Sequence, residues 1–294
     1  MSNNQGAILV IFSGIFWGFN GPCIEFLTQI NHVNLDAIIA YRFLIAGTLM
    51  LMLGYYKNLF TTKIFKNKKH LISLISFTIF GIFFSQYFYF YGVMLSNSAI
   101  ATIIQFSAPV FIILIVCYEE KRIPTIKEFL AFILVFLGAF LLVTNGHLDK
   151  ILITPFALLM CILSMVGFVA NSIIPRKINT IYSPIFVLGI SMSICGIVFF
   201  VSKGVWDIEV TLNLQILLAF FTILLFGTMF PFIFYMTGVN KIGAAKSTIL
   251  SSSVPIVATL ISHFWLKTSL GYIQILGFLL IFIAILITII KKLS

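Results

Sequence analysis

Residues 92–109 read GVMLSNSAIATIIQFSAP, and residues 238–255 read GVNKIGAAKSTILSSSVP. The second stretch repeats the first at an offset of 146 residues. Gly92/Gly238, Val93/Val239, Ala99/Ala245, Thr102/Thr248, Ile103/Ile249, Ser107/Ser253 and Pro109/Pro255 are identical. Thr102, Gln105 and Pro109 stand at i, i+3 and i+7, and so do Thr248, Ser251 and Pro255, which is the spacing of one helix face. The register continues downstream, with Ala131 matching Gly277 and Gly138 matching Ala284. A polar-plus-proline face repeated inside apolar helices predicts a site built where two repeats meet.

The composition names the solvent. Of 294 residues, 61% are hydrophobic and 9% charged, with a mean hydropathy of +1.16. A soluble domain is about half apolar and about a quarter charged. Residues 71–118, 178–202, 210–240, 247–266 and 268–290 contain no Asp, Glu, Lys or Arg. About 20 apolar residues suffice to cross a bilayer. Broken at polar clusters, these runs predict ten spans near 6–28, 35–54, 71–93, 98–118, 128–145, 152–173, 183–202, 213–236, 246–266 and 271–290. The fold expected is an all-α integral membrane protein of two five-helix repeats, residues 1–147 and 148–294. The longest connection, 55–70, is too short to be a soluble domain.

The net charge of +10 is distributed by side. With the N-terminus inside, fourteen Lys and Arg residues fall in inner loops. Lys150, Lys203 and Lys267 fall in outer loops, and Arg42 lies within a span. That bias predicts both termini in the cytoplasm, in a multi-pass protein of the cytoplasmic membrane. No basic face with interleaved aromatics suggests nucleic acid. MSNNQ lacks the basic segment of a signal peptide, so 6–28 reads as a retained span. Cys23, Cys117, Cys161 and Cys195 are scattered, with no spacing that predicts a disulfide framework or a metal site.

Five spans is an odd number, so the second repeat enters the membrane from the opposite side. Inverted repeats of this kind predict alternating access, in which rocking two halves exchanges inward-open and outward-open states.

Several motifs stand in order along the chain: Phe16-Trp17-Gly18-Phe19-Asn20, Ala40-Tyr41-Arg42-Phe43, Gln86-Tyr87-Phe88-Tyr89, the two Ala-Thr…Pro runs, and Glu119-Glu120 closing the fourth span. With the glycine-bearing fifth and tenth spans, they make the chain resemble a ten-helix, EamA-type member of the drug/metabolite transporter superfamily. The resemblance covers nearly the whole chain. It implies transport of small organic metabolites, often amino acids or related compounds, across the cytoplasmic membrane. The family often repeats the span-closing Glu, whereas this chain has Trp265-Leu266 at that offset. The resemblance therefore supplies no paired role for Glu119 and Glu120.

The candidate site residues follow from polarity at depth. Glu25 and Arg42 are charges within spans, and such charges cost at least about 2.5–3.5 kcal/mol at bilayer centre. Either Arg42 holds an anionic group of the substrate while Glu25 gates or couples, or the two form an ion pair or helix-end anchor that orients the first two spans. Gly18-Phe19-Asn20-Gly21-Pro22 should break its helix, since Pro22 cannot donate a backbone hydrogen bond. Freed backbone in a membrane must meet protein or a cavity, which makes Asn20 a substrate contact or the kink a packing device. Gln86, Gln105 and Ser251 are candidate contacts, with interhelical hydrogen bonding as the structural alternative. Trp17 and Tyr87 join them, and Pro109 and Pro255 are expected on the walls of a largely apolar central cavity.

The function expected is a secondary carrier, with export favoured over uptake. Its partners are a small-molecule substrate and the lipid bilayer, with protons a candidate coupling ion and monomer and homodimer both open. No cofactor is expected. A sensor or scaffold would carry an output domain. An intramembrane enzyme would need a catalytic constellation, and the sequence offers none.

Overall fold

The computed structural model describes residues 3–144, 153–207, 213–243, 247, 250, 251, 253–267 and 271–290, and every regular element among them is helical. The chain forms α1 (Gln5–Ile30), α2 (Leu35–Tyr56), α3 (Lys68–Leu95), α4 (Ser98–Glu119), α5 (Ile126–Thr144), α6 (Pro155–Arg176), α7 (Pro184–Ser202), α8 (Leu214–Ile242), α9 (Ser253–Leu266) and α10 (Tyr272–Ile290). Among the described residues, α1 to α4 and α6 to α8 are long and apolar enough to cross a membrane. The first residues expected in the ninth span, with Thr248 and Ser252, lie outside the described residues.

The short polar breaks in the sequence start helices. Asn34 accepts from Asp36 N and Ala37 N, Asn67 from Lys69 N, Asn97 from Ile100 N, Thr154 from Ala157 N and Asn213 from Ile216 N. Each satisfies backbone donors that the first helical turn leaves free. Pro155 and Pro184 stand in first turns, where a missing N–H costs nothing.

Four antiparallel helix pairs carry the packing, and glycines set their spacing. In α2 and α7, Gly47 abuts Ser193, Leu44 abuts Gly196 and Leu51 abuts Gly189. In α5 and α10, Gly138 meets Gly277 and Ile281. In α1 and α8, Gly6 meets Lys241 and Ile242, and Val10 meets Gly238. In α3 and α6, Gly92 meets Cys161, Ser85 meets Gly167 and Gly81 meets Asn171. Small residues are what allow such close approach in a membrane, where dispersion and hydrogen bonding hold helices together.

The contacts occur in matched sets. Gly92 and Gly238, identical in the repeated stretch, press on α6 and α1 respectively. Ser13 in α1 and Ser164 in α6 each return their hydroxyl to the carbonyl three residues back, at 2.7 Å. Asn20 in α1 faces Gly227, and Asn171 in α6 faces Gly81. Both glycines lie in π-helical turns, Leu225–Met229 of α8 and Phe77–Phe83 of α3. Pro231 helps to cause the first, because it cannot donate to the Gly227 carbonyl.

The packing gives a direct test. A Cβ on Gly167 would fall 2.3 Å from Ser85 N and 2.5 Å from Phe84 C, both backbone atoms, while one on Gly54 would meet nothing within 4 Å. Gly167→Ala should destabilise the purified protein by about 1–3 kcal/mol, read as a lowered unfolding midpoint. Gly54→Ala should leave the midpoint unchanged or raise it. Equal midpoints would mean that α3 and α6 do not pack at Gly167.

Candidate functional site

Broken helices bring the polar residues together at mid-bundle. α1 loosens at Gly18–Phe19, where Phe19 N reaches only to Phe16 O, at 3.2 Å. α4 breaks at Phe106–Ser107, where Ser107 N bonds Ile104 O. Pro109 then stands in the first turn of the restarted helix, and Pro255 stands near the start of α9. Both prolines are buried, and their chemistry here is to restart helices without an N–H.

The breaks surround a cleft lined by Trp17 and Asn20 of α1, Gln86 and Tyr89 of α3, Gln105 and Phe106 of α4, Phe168 of α6 and Val254 of α9. The open space is about 10 Å³, room for about one water. It is a narrow cleft where a largely apolar cavity was expected.

Two groups of its polar lining, Trp17 Nε1 and Asn20 Oδ1, are unspent. Trp17 packs edge-on against Phe232 and Phe168, with ring centroids 5.0 and 5.9 Å away, and its Nε1 is buried without a hydrogen-bond partner. Asn20 Oδ1 is likewise buried without one. Gln105 Nε2 donates to Ser85 O at 2.8 Å. The Tyr89 hydroxyl meets Thr102 Oγ1 at 2.7 Å. Aromatic walls with a free donor and a free acceptor suit a small molecule that has both apolar surface and hydrogen-bonding groups.

Arg42 stands behind Gln86. Its side chain is fully buried, with the guanidinium against the Phe43 and Phe90 rings at 4.5 and 4.3 Å. Nη2 donates to Gln86 Oε1 at 3.1 Å, while Nε and Nη1 have no hydrogen-bond partner. The ion pairs among the described residues involve Arg122, Arg176 and Lys203, and none involves Arg42. The ion pair with Glu25 considered from sequence does not form, because the two residues face different helices. The Glu25 carboxylate accepts from Ser98 N at 2.8 Å and from the Ser98 hydroxyl, at the first turn of α4.

The other candidates fall elsewhere. Tyr87 stacks with Phe83 at 5.0 Å and packs beside Phe199 at 5.1 Å, away from the cleft lining. Ser251 is fully buried, with its backbone against Gly14. Sequence reading missed Tyr89, Phe106, Phe168 and Val254. Tyr89 was readable as the residue three after Gln86 on the same face. Asn171, with both side-chain polar atoms buried and unpartnered, matches Asn20 at an offset of 151, which the offset of 146 conceals.

A roomier groove of about 520 Å³ lies on the flank between α1, α8 and α9, lined by Phe19, Cys23, Phe26, Leu218, Trp265 and their neighbours. Its polar lining is Gln215 and Thr222, and Thr222 bonds Leu218 O of its own helix. The central cleft is the candidate site.

A model of the EamA-like transporter family matches residues 4–144 and 155–290. The chain is similar to an "Uncharacterized inner membrane transporter YicL" of Salmonella typhimurium strain LT2, at 28% identity over 283 residues, covering 95% of this chain and 93% of that one. It is similar also to an "Uncharacterized transporter YyaM" of Bacillus subtilis strain 168, at 24% identity, covering 95% and 92%. A solved structure described as "Crystal structure of protein" superposes with a TM-score of 0.67 at 14% identity over 98% of both chains. That likeness speaks for the fold.

The Arg42–Gln86 contact predicts coupled stability. Gln86→Leu removes the hydrogen bond of a buried cation, worth about 1.5–3 kcal/mol, and should lower the unfolding midpoint. Arg42→Met alone should also lower it. The double variant should recover most of the Gln86→Leu loss, because no stranded charge remains. Additive losses would mean that the contact carries no energy.

Proposed function

The chain belongs to the EamA-like transporter family, and from that premise we propose a secondary carrier that exports a small organic metabolite, an amino acid or related compound, across the cytoplasmic membrane by alternating access. The observation that carries this reading is the central cleft. Its polar groups come from α1, α3 and α4, each of which carries a helix break, and its far wall comes from α6 and α9.

Residues 1–147 and 148–294 are the two halves in this reading, each crossing five times. The antiparallel packing of α2 on α7 and of α5 on α10 supports an inverted relation, since equivalent helices of inverted repeats run in opposite directions. The matched pairs Asn20/Gly227 and Asn171/Gly81 support it as well.

Trp17, Asn20, Gln86 and Gln105 contact the substrate. Arg42 supplies positive charge behind Gln86 for an anionic group. Tyr87 and Ser251 reach the substrate in a state other than the closed one. Glu25 acts at a gate and is the proton carrier if transport is proton-coupled; among the described residues it is the one buried carboxylate. Pro109 and Pro255 mark the hinges in α4 and α9. Both termini lie in the cytoplasm, from the distribution of Lys and Arg.

Two measurements test this. A C-terminal reporter active on one side only should report a cytoplasmic terminus, and an external one would overturn the inverted-repeat reading. Comparing metabolites of cells with and without the protein should reveal a substrate that purified protein then moves in proteoliposomes. Asn20→Ala and Gln86→Ala should slow that flux about tenfold, the loss of one strong hydrogen bond, in protein that still folds. Unchanged flux in both would remove the central cleft from the pathway.

A further inference from the structure

The two ends of the bundle are shut by different chemistry at equivalent positions. At one end α1 lies along α9. Gly14 meets Ser253, Gly18 meets Val257, and the rings of Phe26 and Trp265, which also edge the flank groove, stack at 5.0 Å. The sequence separation is the same in all three pairs, so these helices run parallel. One residue before Phe26, the Glu25 carboxylate takes the Ser98 N–H and hydroxyl, and Ser98 Oγ meets Ser262 Oγ of α9 at 2.6 Å. This closure ties α1, α4 and α9.

At the other end α6 lies along α4. Ser107 Oγ meets Met165 Sδ at 3.1 Å, and Arg176 Nη1 meets Glu119 Oε2 at 3.6 Å. Ser98 and Glu119 are the first and last residues of α4, which has 22 residues. At about 1.5 Å per residue they stand about 32 Å apart. That matches the hydrocarbon core of about 30 Å, so the closures lie at opposite faces.

The offset that aligns Ser13 with Ser164 and Asn20 with Asn171 also aligns Glu25 with Arg176. The 146-residue offset aligns Glu119 with Trp265. One pair of equivalent positions thus holds Glu25 and Trp265, and the other holds Arg176 and Glu119. In the first pair the carboxylate turns inward to the start of α4, and its neighbour Phe26 meets the tryptophan.

We propose that these closures are the two gates of the carrier: Phe26–Trp265 with Glu25–Ser98–Ser262 bars the outer mouth, and Arg176–Glu119 bars the inner mouth. This rests on the alternating-access reading. The central cleft, with room for about one water, is then the occluded state with both gates shut. The gates respond to different agents. The inner pair leaves 31% of the Arg176 side chain and 51% of the Glu119 side chain exposed, so salt screens it. The outer gate holds by ring contact and short hydrogen bonds, which salt leaves nearly unchanged. Raised ionic strength therefore favours inward opening.

The test uses Val254→Cys as a reporter in the cleft, with Cys23, Cys117, Cys161 and Cys195 replaced by alanine. A membrane-impermeant thiol reagent is applied to each face of proteoliposomes. Phe26→Ala or Trp265→Ala should raise labelling from the outer face about two- to tenfold, the range of an aromatic pair. Glu119→Gln or Arg176→Gln should raise it from the inner face about two- to fivefold, the upper range for an exposed ion pair. The reversed pair Glu119→Arg with Arg176→Glu should remove that rise. With both gates intact, added salt should raise inner labelling and not outer labelling, a reading that needs no gate variant to fold. Labelling from both faces that ignores the variants and salt overturns the gates and leaves the carrier standing. Labelling from one face only, whatever the variant, overturns the carrier and the gates with it.

Discussion

A backbone N–H or C=O in hydrocarbon has no water to bond, so a membrane helix can break only where protein supplies a partner. Four breaks among the described residues gather at mid-bundle for that reason: Gly18–Phe19 in α1, Phe77–Phe83 in α3, Phe106–Ser107 in α4 and Leu225–Met229 in α8. Local side chains satisfy the freed carbonyls. The Ser85 hydroxyl bonds the Gly81 carbonyl, Gln105 bonds that of Ser85, Ser107 that of Ile104 and Thr228 that of Ile223. Side chains that stabilise the breaks therefore sit beside those that line the cleft, and Gln105 belongs to both groups.

Close approach is the second constraint, and glycine meets it. Gly47, Gly138, Gly167 and Gly238 each lie where a Cβ would overlap the neighbouring helix. In lipid there is little hydrophobic gain in pressing one apolar helix on another, so intimate packing must supply the energy. That packing is arranged in matched pairs across the two segments that the family model matches, residues 4–144 and 155–290. Asn20 against Gly227 and Asn171 against Gly81 are the same contact made twice, each an asparagine set against a π-helical turn of the other segment. A π-helical turn is a ready hinge, since it already departs from the α-helical hydrogen-bond ladder.

Arg42 adds a third element. A guanidinium stays charged in a protein and offers five N–H donors. Here it has two phenylalanine faces and one amide oxygen, with Nε and Nη1 unpartnered. Its partner Gln86 is also a wall of the cleft. Any movement of Gln86 toward a bound molecule thus alters what surrounds the cation, which couples occupancy of the cleft to the α2–α3 contact.

Composition and repetition determined a good deal on their own. Sixty-one per cent hydrophobic residues left lipid as the solvent, and the polar breaks at Asn34, Asn97 and Asn213 marked helix starts through capping chemistry. The repeated 92–109 stretch marked two groups of helices, and polarity at depth picked out Trp17, Asn20, Gln86 and Gln105, which the fold gathers around one cleft. Tertiary structure decided the rest. Packing set Tyr87 against Phe83 and Phe199, while Tyr89, three residues after Gln86 on the same helix face, lines the cleft. Asn171 was hidden because the two groups differ in connection length, so no single offset aligns every helix. Glu25 met Ser98 and Arg42 met Gln86, although the sequence offered the two as each other's partner. Sequence records which groups must be satisfied in lipid, whereas the helix rotations that choose their partners come from packing across the whole bundle.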